Sequence, residues 1–132
     1  MKLLRGTLRW MAVLWALSGL ILLVAPGWVA ESAMSQGALG EDAWLRVAGV
    51  MSIALAAQMV LVTRRIEELW WWSWTFVLLE IATALVLVVS GLVGLPEGAA
   101  SWPWWAVGVV HAGLAGSGVT ALARAGTERS PA

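Results

Sequence analysis

Four stretches of this 132-residue chain are each apolar for about twenty residues, the length a helix needs to cross the hydrocarbon core of a bilayer. They cover residues 7–25, 43–63, 70–94 and 102–123. A helix of a soluble bundle would show an apolar face and a charged one, whereas segments such as IATALVLVVSGLVGL are apolar on every side. The chain is therefore expected to be all-α: an integral membrane four-helix bundle, one transmembrane domain over 1–132, with an outer loop at 26–42.

Composition then removes several classes of function. Charged residues make up 12% of the chain against the usual ~25%. The eight basic and eight acidic side chains cancel, so the positive excess that a nucleic-acid module needs is missing. With no cysteine there is no disulfide framework, thiolate metal site or dithiol redox motif, and one histidine rules out a His-pair metal site within one chain. No metal or cofactor is expected. No nucleophile with a base and an orienting group is visible, so an enzyme is not expected either.

The basic residues set an orientation. Lys2, Arg5 and Arg9 precede the first span, Arg64 and Arg65 separate the second from the third, and Arg124 and Arg129 follow the fourth. The positive-inside rule then puts both termini in the cytoplasm and Glu31, Glu41, Asp42 and Glu97 outside, in a multi-pass protein of the bacterial inner (cytoplasmic) membrane. The first apolar run is longer than a signal-peptide core of about 7–15 residues and lacks a good cleavage site, so it is expected to be an anchor.

Tryptophan, whose ring is buried and whose N–H is wet at a membrane surface, follows the same layout. Trp10, Trp70, Trp71, Trp72 and Trp74 fall at the inner surface, and Trp28, Trp44, Trp102, Trp104 and Trp105 at the outer one. Trp15 alone sits inside a span. The WWWSW run is read as part of the interfacial belt in preference to an aromatic cage for a cation.

Two ionisable groups lie deep in the spans. At about 1.5 Å per residue, Glu80 is about 15 Å from one end of the third span and His111 about 14 Å from the opposite end of the fourth, so both fall near the middle of a ~30 Å core. They stand on consecutive antiparallel helices and are within reach of each other. Burial favours the neutral form of each, and mutual contact favours the charged pair. Glu80 shares a face with Thr83, Leu87, Gly91 and Gly94, and His111 shares one with Gly108, Ala115 and Gly118; both faces read as inward. Either the two form a buried hydrogen bond that fixes helix register, or they are a proton or ligand site. Ser18, Gln58 and Thr83 are further candidates for lining the same interior.

Arg46 breaks the positive-inside pattern in the first turn of the second span, where the helix dipole also disfavours a cation. A pair with Asp42, one turn earlier, is the local explanation; an inward guanidinium that takes an anionic headgroup or ligand is the functional one. Asp42 is also expected to cap this helix, Glu67 and Glu68 to suit the start of the third, and Ser101 with Pro103 the start of the fourth.

Small residues supply candidate packing seams: Gly108, Ala112, Gly116 and Thr120 on the fourth span, and Ala48, Ser52 and Ala56 on the second. Such rows let helix backbones approach closely in lipid. Holding this bundle together is the first reading, and docking to a partner subunit or a second copy the other. The endings Ser18-Gly19-Leu20 before Pro26 and Ser90-Gly91-Leu92 before Pro96 are also alike, as a duplicated hairpin would leave them.

The second span opens with Arg46-Val-Ala-Gly49 and continues as an Ala/Leu-rich helix to Arg64. This R-x-x-G entry within a four-span chain resembles the DoxX-like group of small bacterial membrane proteins. The resemblance covers the overall layout and about twenty residues, carries over Arg46 and Gly49 alone, and implies a four-helix bundle. The membrane glutamate stands on the third span here, where that group has an acidic second span.

The expected function is that of a small non-enzymatic membrane protein, which binds a lipid-like molecule or serves as an accessory or scaffold subunit, with a homodimer as one form. The alternative is a proton-coupled small-molecule transporter using Glu80 with His111, similar to small multidrug exporters in size and span number. A haem or quinone site between His111 residues of two protomers is a third, more distant option.

Overall fold

The computed structural model describes residues 1–36, 42–95 and 97–129, the last without its side chain. The elements are α1 (Lys2–Val24), a π-helical turn (Trp28–Ala33), α2 (Ala43–Arg64), a short α3 (Ile66–Leu69), a 3-10 turn (Trp70–Trp72), α4 (Ser73–Val93) and α5 (Trp102–Arg129). No strand occurs among the described residues. Four helices are long and apolar enough to cross a membrane, the third being α3 and α4 taken together over Ile66–Val93. Glu41 and Pro96, placed above in the outer loop and in the possible repeat, lie outside the described residues.

Three helix ends differ from the expected spans, the third span starting at Ile66 and not at residue 70. α1 begins at Lys2 and not at residue 7, and α5 runs on to Arg129 past residue 123. Hydropathy marks only the part of a helix that lies in lipid; backbone bonding continues as long as the residues tolerate it. The extended ends of α1 and α5 also meet, the amino-terminal ammonium donating to Glu128 Oε2 at 2.7 Å.

The helices pack as two hairpins, α1 with α2 and α4 with α5, joined chiefly by α1 against α5. Glycine sets the first hairpin. A Cβ at Gly19 would lie 2.6 Å from the Gly49 carbonyl oxygen, and one at Gly49 would lie 2.7 Å from that of Gly19, so the two backbones touch where both residues lack a side chain. In the second hairpin Gly91 admits the Trp104 side chain, which would stand 3.2 Å from a Cβ there. The alike endings of the first and third spans thus each seat the helix that follows.

The core occupies the end of the bundle that carries the termini. Leu4, Leu8 and Met11 of α1, Met59 and Val62 of α2, Ile66 of α3, Phe76 and Val77 of α4, and Leu122 and Ala125 of α5 form one buried cluster. Gly118 belongs to this seam, since a Cβ there would fall 2.5 Å from a Val77 methyl.

The predicted seams divide. Ser52 and Ala56 are buried, Ala48 is half-buried, and Gly108 packs on Leu87 and Val88. Ala112, Gly116 and Thr120 are exposed, and a Cβ at Gly116 would meet nothing within 4 Å. The inward stripe of α5 runs instead through Gly108, His111, Ala115 and Gly118. The two rows are adjacent on the helix, and burying His111 turns the smaller-residue row outward.

Candidate functional site

The buried polar centre is built from three helices. The α4 stripe that carries Phe76 and Val77 into the core brings Glu80 inward one turn later, with 0% exposure. His111 of α5, 6% exposed, places Nδ1 at 2.5 Å from Glu80 Oε2. Trp15 of α1 donates its indole N–H to Glu80 Oε1 at 2.7 Å and meets the imidazole edge-on, with ring centroids 5.9 Å apart. Both carboxyl oxygens therefore have a partner, as a fully buried carboxyl requires. His111 Nε2 has no hydrogen-bond partner among the described residues.

Above this centre, toward the end opposite the termini, lies a cavity of about 360 Å³ that is partly open to the surface, with the exposed Ile21 and Trp28 among its lining. Trp15 and His111 line it, with Leu22 of α1, Ser52 of α2, Thr83 and Leu87 of α4 and Val107 of α5. Trp28, Val29, Ala33 and Met34 contribute from the π-helical turn and its exit. Trp104 Nε1 donates to the Met34 carbonyl oxygen at 2.9 Å and ties this segment to α5, and Ser35 turns the chain with a positive φ of 52°. The volume falls within the usual ~300–1,000 Å³ of small-molecule sites, and the walls are mostly apolar with a few polar groups, as such sites are.

Glu80, His111 and Thr83 thus come together, with Ser18 and Ser52 in the same cavity. Gln58 does not join them: it is exposed and lines a separate groove with Leu61, Leu69, Trp72 and Phe76. Arg46 is also outside the cavity. It donates to Asp42 Oδ2 at 3.2 Å and to the Leu23 carbonyl oxygen at 2.8 Å.

The Leu23 bond explains a cation in the first turn of α2. The last carbonyls of α1 lack intrahelical partners, and a guanidinium satisfies one of them at that helix's negative end. Asp42 sits at the N-cap position, but its carboxylate is taken by Arg46 and makes no capping bond. Gly49, the other residue of the R-x-x-G entry, serves the close contact with Gly19.

Trp15 is the member of the centre to which the sequence by itself assigns no role. The signal was present, since it alone of the tryptophans lies inside a span and a buried indole N–H needs an acceptor. The π-helical turn that contributes to the cavity lies within the expected outer loop at 26–42.

Compared with family models, with curated proteins and with solved structures, the chain matches none.

Proposed function

We propose that this chain is a non-enzymatic, multi-pass protein of a bacterial inner membrane, with both termini cytoplasmic, that binds a lipid-like molecule between its helices. The observation that carries this reading is the apolar-walled cavity of about 360 Å³ with the His111 imidazole among its lining groups. An amphipathic ligand would lay its chain along Leu22, Leu87 and Val107 and give a polar group to Nε2. Glu80 and Trp15 would hold the ring in place, as partners around a functional imidazole do. The layout shared with the DoxX-like group is compatible with this reading and adds no chemistry to it. An accessory-subunit role is supported by the exposed small face at Ala112, Gly116 and Thr120.

The test is native mass spectrometry of the full chain extracted from its own membranes in a mild detergent. The expected result is a bound small molecule in the wild type and in Val109→Trp, whose side chain is exposed, and its loss in Val107→Trp, which fills the cavity. A bare wild-type protein, or equal retention by both variants, would overturn the reading.

The second reading, proton-coupled transport, rests on the buried Glu80–His111 pair beside the cavity. It predicts that Glu80→Gln abolishes uptake driven by a pH gradient in liposomes. Binding is favoured because the other end of the bundle is filled by the core cluster, so the pair has a cavity on one side and packed side chains on the other.

A further inference from the structure

A second concave site lies at the end that carries the termini, away from the cavity above. Arg5 and Arg9, one turn apart on α1, and Arg64, in the last turn of α2, line a notch of about 300 Å³ together with Val60 and Thr63. Antiparallel pairing of α1 and α2 brings the start of one helix beside the end of the other, so three arginines line one recess.

Their charge is poorly answered within the protein. Arg5 Nη2 lies 3.9 Å from Glu67 Oε1, at the outer limit of an ion pair. Among the described residues, no carboxylate reaches ion-pair distance of Arg9 or Arg64. Arg5 Nε is buried and has no hydrogen-bond partner among the described residues. Thr63 is committed elsewhere, its hydroxyl donating to the Met59 carbonyl oxygen at 2.6 Å. Arginines grouped around one recess, with a single carboxylate at the limit of ion-pair distance, are an arrangement that suits a phosphate, because each guanidinium can give two parallel N–H bonds to its oxygens.

The walls distinguish a lipid phosphate from a free one. Val60, an exposed apolar side chain one turn before Arg64 on α2, forms part of the wall of the notch, and Leu61 beside it is exposed too. Trp10, Trp71 and Trp74 are exposed at the same end of the bundle, where tryptophan marks the headgroup level. A phosphodiester in the notch would have its acyl chains leave along Val60 into the bilayer. We propose that Arg5, Arg9 and Arg64 bind the phosphate of an anionic phospholipid from the leaflet at the terminal end of the bundle, independently of any ligand in the cavity.

The experiment reconstitutes the full chain in nanodiscs of equal parts phosphatidylglycerol and phosphatidylcholine and counts retained lipids by native mass spectrometry. At about 1 kcal/mol per cation near a charged headgroup, removing one arginine corresponds to about five-fold in lipid preference. The wild type is expected to retain phosphatidylglycerol preferentially, and R9Q/R64Q to lose that preference. R124Q, at an exposed position at the same end but outside the notch, is expected to keep it. Should the double variant fold poorly, the single exposed-site change R64Q is expected to lower the preference in the same direction. Equal retention of the two lipids by the wild type would overturn the proposal, as would equal loss in R124Q, which would reduce the effect to general surface charge. Displacement of the lipid by millimolar inorganic phosphate that itself binds would assign the notch to a free anion.

Discussion

The two ends of this bundle are both largely apolar and come out differently. At the end with the termini, Leu8, Met11, Met59, Phe76, Val77 and Leu122 from all four long helices meet in one cluster. At the other end each hairpin closes on itself, through Gly19 with Gly49 and through Gly91 with Trp104, and the space between the hairpins is the cavity. Large side chains directed to a common centre fill it; glycines that draw helices together in pairs leave the centre between the pairs empty. The Trp15–Glu80–His111 group lies at the boundary, where a polar cluster can be buried from one side and approached from the other.

Truncation should separate the two ends most clearly. Phe76→Ala is expected to destabilise the protein by about 3–5 kcal/mol, the usual cost of removing a large core aromatic. Leu87→Ala, beside existing empty space, should cost well under the ~2–5 kcal/mol typical of a packed leucine. Unfolding in detergent, followed by tryptophan fluorescence, compares the two directly. Equal losses would mean that the cavity end is as closely packed as the core.

Gly19→Ala tests the claim that the cavity end is held by backbone contact. In an ordinary helix interior this change would gain about 1 kcal/mol. Here the new methyl meets a backbone oxygen that cannot move without shifting α2, so a loss of about 1–3 kcal/mol is expected in the same assay. A gain would show that the hairpin does not close there.

The boundary group should behave as a unit. Glu80→Gln and His111→Ala are expected to be non-additive in a thermal-stability cycle, with a coupling of about 0.5–2 kcal/mol. His111→Ala leaves one oxygen of a buried carboxyl without its partner, whereas with Gln at position 80 the group left behind is neutral, so the second change costs less than the first. Additive effects would separate the two residues. Trp15→Phe removes one hydrogen bond to the same carboxyl and should cost about 1 kcal/mol by the same measurement.

The smallest effect is expected on the outward face of α5. Gly116→Ala should be neutral or stabilising by up to about 1 kcal/mol in the monomer, because the new methyl meets nothing and helix propensity improves. Gly118→Ala, two residues on, should destabilise against Val77. If Gly116→Ala instead lowers stability while shifting the mass on size-exclusion chromatography, the face is occupied by a second copy.

Part of the site is legible in the sequence. Hydropathy and helix rise placed Glu80 and His111 at the same depth on neighbouring helices, and the structure joins them. Thr83, Leu87 and Gly108 also fell on the faces expected of them. The misplaced residues share a cause: Gln58, Ala112 and Gly116 were assigned from residue type and spacing, which are compatible with more than one rotation of the helix. Arg46 was read against its own helix dipole, whereas its position follows from the end of α1, a neighbour that spacing within one helix does not reveal.

The sequence by itself determined that four helices are long and apolar enough to cross a membrane, and how deep each polar group lies along its helix. Hydropathy is a property of a window of residues, and depth follows from counting along a rigid rise. Only the tertiary structure decided which face of each helix turns inward, that Trp15 completes the Glu80–His111 pair, and that one end is filled while the other is hollow. Those outcomes depend on how several helices rotate against one another, and the contacts that fix the rotation, such as Gly19 on Gly49, exist only between residues far apart in the chain.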